Sequence, residues 1–351
     1  KQSYRLSEAF IGKKQITVYP TQVNEMEGLE FVRYKAQQME VDLQRGDDAH
    51  LVEIPMDLLY SVRKVTAGKY PNISPDGSKI IYVKPVDEWT KKIWFKDVYI
   101  HNLKTNKKRR ITGKNEFFYD WDRPHLLDSN KHAYLTAYNS GGQFQYFVTV
   151  GIDSLRKLPL PIDKSRFGFL PLKDRSGVIT DNKVYDFDGK YIKTLFSKPP
   201  FNNQLYYAGE NGVLYFKKEK TKSKRTLRLT STYVNIDTGE EKELFSIVKN
   251  NAPFLSASDN GEKVVVSDYT GLNIGFMTSI KLWQNSEFVE LVKPLQDGAG
   301  EYKDGTTFHK TEACATSDGN KIVFEYNGDI YLIEIPAEIT MQDLKDAELK
   351  S

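Results

Sequence analysis

The chain has 351 residues, more than the roughly 250–300 at which a single hydrophobic core stops growing, so it contains several domains or repeats one unit. Its 50 basic and 47 acidic residues nearly cancel, and this balance does not call for a nucleic-acid or anionic-membrane partner. One cysteine excludes an intramolecular disulfide and a cysteine-built zinc site.

The N-terminal region predicts few regular elements. No stretch approaches the roughly 18–20 apolar residues that a membrane-spanning helix needs. Strands are expected at 8–11 or 14–19, a weak turn at Gly28 and a short helix over 58–64. Because the chain starts at Lys1 and its short strands are rich in Tyr, Asn and Lys, we expect an exported bacterial protein, periplasmic or at the cell surface, with a lipid anchor upstream of Lys1 as part of that hypothesis.

A turn motif recurs along the rest of the chain. It is clearest at 70–83 (YPNISPDGSKIIYV) and returns at 257–266 (ASDNGEKVVV) and 315–324 (ATSDGNKIVF). Each copy has a small residue, a turn ending in glycine, one spacer, lysine and three β-formers. Glycine supplies the positive φ that such a turn requires at little steric cost.

The spacing of the turns indicates the size of the repeat. Counting weaker copies, the turn positions are 28, 77, 130, 177, 212, 261 and 319. Their mean separation of about 50 residues matches a four-stranded blade of a β-propeller. A second hairpin follows each turn, as at 97–112 and 329–335, with the apolar–polar alternation of half-buried antiparallel strands.

These observations predict an all-β fold, a single closed β-propeller over residues 1–337 with a short helical tail at 338–351. Seven blades are favoured, and six if 1–64 form an irregular extension. An N-terminal strand is expected to complete the last blade, because closing the ring removes an exposed sheet edge. The expected blades lie near 14–66, 67–113, 114–162, 163–198, 199–250, 251–295 and 296–337.

The segment 73–82, followed by Asp97-Val98-Tyr99-Ile100 and Arg110-Ile111-Thr112, resembles the TolB-like propeller repeat. This WD-repeat-like module also occurs in the propeller domains of prolyl-oligopeptidase-type enzymes. The resemblance implies a closed propeller with a central channel, often in an exported or cell-envelope protein. Members of the family act as interaction scaffolds, as substrate gates or occasionally as lyases and hydrolases.

The densest chemical cluster leads into an innermost strand, where the loops of a propeller usually bind ligands. Flat rings suited to sugars or aromatic groups are followed by hydrogen-bonding and charged groups, with arginine suited to carboxylates. The predicted ligand-binding residues here are Tyr119, Trp121, Asp122, Arg123 and His125. Aromatic packing between blades and a local salt bridge would explain the same residues.

The glycine-rich stretch 297–309 occupies the equivalent place in the last blade, and it adds Asp304 and His309 to the candidates. A plain connector is the alternative. The five histidines show no metal-ligand spacing, so no metal and no cofactor are expected. Cys314 aligns with Asn72 and His125 on the innermost strands, and we expect a buried, inert thiol there.

The function favoured by the sequence is a non-catalytic binding or scaffold propeller of the bacterial cell envelope, recognising a protein or glycan through its loop face and channel. The alternative is a propeller lyase or hydrolase, with His125, Arg123, His309 and nearby acids meeting at the axis. Basic runs at 104–110 and 217–228 are expected to be solvated outer hairpins rather than a nucleic-acid surface.

Overall fold

The structure is a computed structural model, and it describes a defined part of the chain. Side chains are described within 60–84, 97–112, 124–126, 132–135, 170–195, 206–221, 226–249, 252–268, 279–292, 313–325 and 328–346, with gaps. Additional stretches, among them 12–16, 30–32, 39–43, 144–149 and 155–157, are described as strands only.

The described elements are almost all β-strands. In chain order they are β1 (Gly12–Ile16), β2 (Glu30–Val32), β3 (Met39–Leu43), β4 (Ser61–Ala67), β5 (Lys69–Ile73), β6 (Lys79–Pro85), β7 (Lys96–Asn102), β8 (Lys107–Arg110), β9 (Asp120–Leu127), β10 (His132–Tyr138), β11 (Phe144–Thr149), β12 (Leu155–Lys157), β13 (Leu170–Pro171), β14 (Gly177–Thr180), β15 (Lys183–Asp186), β16 (Tyr191–Thr194), β17 (Tyr206–Ala208), β18 (Gly212–Lys220), β19 (Leu227–Asn235), β20 (Glu241–Lys249), β21 (Phe254–Ala257), β22 (Lys263–Leu272), β23 (Gly275–Gln284), β24 (Glu287–Gln296), β25 (Cys314–Ala315), β26 (Lys321–Tyr326), β27 (Asp329–Glu334) and the helix α1 (Met341–Leu349).

Apart from the small pair β1–β3, the described strands form five sheets of four or more strands, and their pairing is antiparallel except at one place. One sheet has eight strands, because two four-stranded groups meet at a single parallel pair, Ala208 with Ala257. We name the antiparallel groups unit 1 (β5–β8), unit 2 (β9–β12), unit 3 (β13–β16), unit 4 (β17–β20), unit 5 (β21–β24) and unit 6 (β25–β27 with β4 and β2). The expected all-β propeller of antiparallel blades is confirmed at this level.

The apolar core lies between the units. Each of the five buried clusters in the described region combines residues from two units, joining units 1 and 2, 3 and 4, 4 and 5, 5 and 6, and 6 and 1. For example, Ile80 and Tyr82 of unit 1 pack with Val323 and Leu332 of unit 6. A single four-stranded sheet is too thin to bury both faces, so each unit depends on its neighbours for its core.

The turn motif forms the structure that its sequence predicts. Gly77, Gly261 and Gly319 have φ values of 68°, 68° and 69°. Unit 1 shows the detail: the Lys79 N–H donates to Ser74 Oγ at 3.0 Å, and the Ser74 hydroxyl donates to Asp76 Oδ1 at 2.6 Å. The small hydroxyl residue three positions before each glycine therefore closes the turn.

The strand that completes unit 6 is not the one expected. β4 pairs with β27 from Ser61↔Glu334 to Ala67↔Asp329, whereas Gly12–Ile16 pairs with β3 in the separate two-stranded sheet. The short helix predicted over 58–64 is also wrong from residue 61 onward. Val62 is fully buried in the cluster of units 5 and 6, and Val65 packs against the cluster of units 6 and 1. The pairing of β4, which carries these β-branched residues, with β27 outweighs the local helical periodicity.

Seven closed blades are not confirmed. The unit expected near 14–66 is not a four-stranded blade among the described strands, because β1 pairs only with β3 while β2 and β4 join unit 6. The expected closure strand at 8–11 lies outside the described residues. Gly28 was assigned to a blade from turn spacing alone. Turn spacing shows where turns occur but carries no information about which strands pair.

The helix α1 packs against the units 5 and 6. Thr340 and Asp343 cap it reciprocally: the Asp343 N–H donates to Thr340 Oγ1 at 3.2 Å, and the Thr340 N–H donates to Asp343 Oδ2 at 2.8 Å. Met341 and Leu344 are buried in the cluster shared by those units. Within the described residues, no helix has the length and apolar character needed to cross a bilayer.

Candidate functional site

One sequence position brings polar side chains together on the innermost strands. It lies five residues before the turn position of each unit, and in four successive units it carries Ser256, Cys314, Asn72 and His125. Ser256, Cys314 and Asn72 are buried, with 4%, 8% and 5% of their surfaces exposed, whereas His125 is partly exposed. We call this group the inner polar row.

Asn72 is the centre of the row. Its Oδ1 accepts the Leu126 N–H at 3.1 Å, and its Nδ2 lies 3.2 Å from His125 Nδ1 and 3.2 Å from Cys314 Sγ. One buried amide thus connects unit 1 with unit 2 on one side and with unit 6 on the other. An amide has two donors and an acceptor, and this geometry uses all three.

Ser256 repeats part of this arrangement between units 5 and 6. Its Oγ accepts the Ala315 N–H at 2.9 Å. Leu126 and Ala315 both lie four positions before the turn position of their units, so the two bonds are equivalent. An innermost strand has one side without a ladder partner in its own blade, and the preceding unit supplies the acceptor that its buried N–H needs.

Cys314 is buried, as the sequence predicted, and lies within this network. Its Sγ lies 4.0 Å from Ser256 Oγ as well as near Asn72. A small polarizable side chain fills the space between two polar neighbours and accepts weak hydrogen bonds there. The signal for Ser256 was available in its spacing from Gly261, but the sequence interpretation did not use it.

The remaining site predictions are only partly covered by the structure. Trp121, Asp122 and Arg123 lie in β9 ahead of His125, and their side chains are outside the described residues. Tyr119, Asp304 and His309 lie outside the described residues altogether. The structure therefore places four of the seven predicted residues on one innermost strand and leaves the meeting of β9 with Asp304 and His309 as a prediction.

β9 has an irregularity within the predicted site. Its register with β10 shifts between His125↔Tyr134 and Asp122↔Thr136, so that Arg123 and Pro124 oppose one residue. This is a β-bulge, where a proline without an N–H is tolerated and a strand changes the direction in which its side chains point. The Arg-Pro pair in the sequence explains the irregularity locally.

The turns of units 5, 6 and 1 are joined as well. The Asp259 N–H donates to Ser317 O at 2.8 Å, and the Ser317 N–H donates to Pro75 O at 3.1 Å, always from the second residue before the turn glycine. Burial opposes ionisation of Asp318, but hydrogen bonds led by Thr316 outweigh it and lower the pKa of the carboxyl. Burial lowers the pKa of Lys263, whose Nζ contacts Asn320 Oδ1 at 2.5 Å.

The other histidines with described side chains lie away from the row. His101 is 2% exposed on the third strand of unit 1, and its Nε2 lies 2.7 Å from Asn106 Oδ1. His132 is partly exposed at the start of β10. Within the described part of the chain, no three His, Cys, Asp or Glu side chains lie close enough to hold a metal ion.

Comparison with known proteins agrees with the fold. No protein-family model matches the sequence, and no curated protein matches it. An oligogalacturonate lyase from Vibrio parahaemolyticus aligns with 10% identity and a TM-score of 0.50, over 81% of this chain and 96% of the lyase. A putative TolB from Agrobacterium tumefaciens aligns with 12% identity and a TM-score of 0.42, over 79% and 92%.

The β-propeller domain of the Trilobed protease from Pyrococcus furiosus aligns with 14% identity and a TM-score of 0.42, over 74% and 78% of the two chains. Structural neighbours thus include TolB and other propellers, and the resemblance to a TolB-like propeller is confirmed as a likeness of fold. Identities this low show the fold alone. The protein is a β-propeller, and its activity has to be argued from its own residues.

Proposed function

We propose that the protein is a non-catalytic binding propeller that recognises a protein or glycan at the ligand face beside β9. The observation that carries the proposal is the position of His125 in the inner polar row. A buried amide of the neighbouring unit contacts its ring, yet the residue remains partly exposed. A fixed polar group with an accessible surface on a rigid strand is suited to binding.

The residues around His125 supply complementary chemistry. Trp121 offers a flat apolar face, while Asp122 and Arg123 offer an acceptor and a bidentate donor. Tyr119 precedes β9, and the stretch with Asp304 and His309 precedes β25. Since each unit begins with its innermost strand, both connections enter the propeller at the starting ends of innermost strands, and we propose that they share one ligand face.

We propose a location in the bacterial cell envelope, as an exported periplasmic or surface protein that a lipid anchor upstream of Lys1 would hold. Support comes from the TolB-like fold and from the composition of the strands, with no nucleic-acid partner required by the balanced charge. Fractionating the native cells with an antibody against the protein tests this. Recovery in the cytosolic fraction alone would contradict it.

The test of the binding function is a substitution in β9. Trp121→Ala is expected to weaken binding at least about tenfold, because stacking in a desolvated pocket typically contributes more than 1.4 kcal/mol. The probes are an array of immobilised bacterial glycans and crosslinked co-purification from native envelopes. Tyr191→Ala is the matched control, because Tyr191 is an aromatic residue that is 50% exposed on an outer strand of unit 3.

Both variants should retain the far-ultraviolet circular dichroism of the parent protein. If Trp121→Ala binds every captured glycan and protein as tightly as the parent does, the ligand face is not beside β9. If Tyr191→Ala weakens binding equally, binding takes place elsewhere on the propeller.

A lyase or hydrolase with His125 and Arg123 at its centre is the second candidate, favoured by the presence of both residues on one innermost strand. The neighbour from Vibrio is an oligogalacturonate lyase, which suggests oligogalacturonate as the first substrate to test. A β-eliminating lyase would produce an unsaturated sugar with new ultraviolet absorbance. We expect no product; absorbance that grows with time and disappears in His125→Gln would replace the binding proposal.

A further inference from the structure

We propose that Asn72 is a positioning residue that fixes His125 as the tautomer with its proton on Nε2, so that the ring offers an N–H donor to an oxygen acceptor of the ligand. This inference rests on the proposed function for its ligand, and on the inner polar row for its geometry. The two residues belong to neighbouring units and are 53 positions apart in the sequence.

The first step is the orientation of the Asn72 amide. A backbone N–H can only donate, and the Leu126 N–H points at one end of this amide from 3.1 Å. That end is therefore the carbonyl oxygen. The opposite orientation would bring two donors together and leave a buried N–H without its acceptor, which costs about 1–3 kcal/mol.

The second step follows from the first. With Oδ1 directed at Leu126, the NH2 group lies against His125 Nδ1 and Cys314 Sγ, both at 3.2 Å. An NH2 group has only donors, so Nδ1 must act as the acceptor. A neutral imidazole whose Nδ1 accepts has its proton on Nε2, because the bond made by one ring nitrogen determines the state of the other.

The third step concerns how firmly the Asn72 amide, and with it the His125 ring, is held in place. Asn72 is 5% exposed, and its amide is fixed from two sides, by a backbone N–H of unit 2 and by a thiol of unit 6. Rotation of the amide would break the contacts with both units, so the His125 ring inherits its orientation from the frame of the propeller. A donor held in this way selects ligands that present a carboxylate, carbonyl or hydroxyl oxygen over ligands that present only donors.

The test is nitrogen NMR of the protein labelled with ¹⁵N-histidine at neutral pH. The shifts of the two imidazole nitrogens distinguish a protonated from an unprotonated nitrogen, and His125→Gln identifies the signals of His125 among the five histidines. We expect an unprotonated Nδ1 and a protonated Nε2. A protonated Nδ1 in the parent protein would overturn the proposal without any variant.

Asn72→Asp provides the sharper test. It preserves the shape of the side chain but replaces the NH2 group by an acceptor, so we expect a proton to move onto Nδ1. Ser256→Ala is the matched control, because Ser256 holds the same repeat position in unit 5 and its described bonds are to unit 6. If Asn72→Asp folds and leaves the His125 shifts unchanged, or if Ser256→Ala shifts them equally, Asn72 does not set the tautomer.

The NMR test of the tautomer and the binding test of the proposed function can fail independently of each other. The nitrogen shifts are measured without a ligand, so they report on the tautomer even if Trp121→Ala leaves binding unaffected. The predicted tautomer with unaffected binding would reject the ligand face and keep the role of Asn72. Binding lost in Trp121→Ala with Nδ1 protonated in the parent protein would reject the role of Asn72 and keep the ligand face.

Discussion

Units 1 and 6 each contain an aspartate on the third strand that contacts a basic residue on the fourth strand. We call this contact the aspartate clasp, and the two units build it from different parts of the chain. In unit 1, Asp97 Oδ1 accepts from Arg110 Nη2 at 2.9 Å and from Thr112 Oγ1 at 2.8 Å. In unit 6, Asp329 Oδ1 lies 3.0 Å from Lys64 Nζ. The basic residue stands opposite a tyrosine in both, Tyr99 with Arg110 and Tyr331 with Lys64.

The difference between the two clasps lies in connectivity. The partners in unit 1 are 13 positions apart, whereas those in unit 6 come from the two ends of the described propeller. The entropic cost of closing a loop grows only with the logarithm of its length, so a distant strand can replace a local one. What it must supply is a basic residue opposite the tyrosine and within reach of the aspartate, and Lys64 does this in place of Arg110.

Among the tests of this comparison, removal of the Asp97 and Asp329 carboxylates should change the free energy of unfolding most. Asp97→Ala is expected to lower the free energy of unfolding by about 3 kcal/mol, since two hydrogen bonds to a buried charge are lost. Asp329→Ala should cost about 1.5 kcal/mol, because the described contact that it breaks is one ion pair, with Lys64, in place of two hydrogen bonds. Urea denaturation measures both.

Asp97→Asn serves as the control for unit 1. It retains an acceptor for Thr112 but removes the charge and replaces one acceptor oxygen by an NH2 group, so its cost should be intermediate. A larger loss from Asp329→Ala than from Asp97→Ala would show that ring closure, and not the local bonds, determines the stability.

The turn glycines of the same two units should come next. Gly319→Ala is expected to cost about 2–3 kcal/mol, since a left-handed residue costs roughly 1–2 and its Cβ would lie 2.9 Å from Lys263 Cβ, near the backbone. Gly77→Ala should cost about 1 kcal/mol less, because its closest neighbour is the flexible Lys321 Cδ at 2.8 Å. Thermal or urea unfolding distinguishes them.

Gly328→Ala is the matched control, because Gly328 has a φ of 78° and no atom within 4 Å of an added Cβ. It should show the backbone strain alone. Equal losses at all three glycines would mean that the lysine of the preceding unit does not restrict the turn.

A pH effect is expected where unit 1 faces unit 6. Burial lowers the pKa of His101, and Lys108 and Arg63 lower it further, against the opposing hydrogen bond that the imidazole donates to Asn106 Oδ1. A lowered pKa means that the unfolded protein binds a proton at His101 more readily than the folded protein does, so the contribution of His101 to stability is complete above the ordinary value of 6.5 and is lost as the pH falls below it. His101→Gln should flatten the fall of the urea midpoint between pH 7.5 and pH 5; an unchanged slope would assign the fall to other groups.

The smallest effect is expected at the surface of unit 6. Glu334 pairs with Arg63 at 3.3 Å and with Lys321 at 3.1 Å, and all three side chains are about a third exposed. Glu334→Gln should cost less than about 0.5 kcal/mol, since exposed pairs offset their attraction by lost side-chain entropy and by salt screening. A loss comparable with that of Asp329→Ala would show that this pair also fastens the closure.

Much of the fold was predictable because its information is local. Gly77, Gly261 and Gly319 have the positive φ that their motif requires, and the hairpins follow from apolar alternation. The closing strand was missed although its signal was present, since RKVTAG at 63–68 parallels RRITG at 109–113. A search that assigned the fourth strand by this motif would have rejected a helix at 58–64.

The candidate site was less predictable, for a physical reason. Asn72 and His125 were aligned by turn spacing, but alignment does not say that an amide of one unit bonds the ring of the next. The spacing of Ser256 from Gly261 places it on an innermost strand, but that spacing does not indicate that its hydroxyl accepts the Ala315 N–H.

By itself the sequence determined the repeat, its turns and the residues that recur at equivalent positions, because each depends on a backbone conformation within a few neighbouring residues. Only the tertiary structure decided how units pair, which strand closes unit 6 and what the inner polar row bonds to. Those outcomes depend on burial shared between distant segments, whose free energy no local pattern contains. A length that first left open several domains or one repeated unit is therefore explained by units that complete one another's cores.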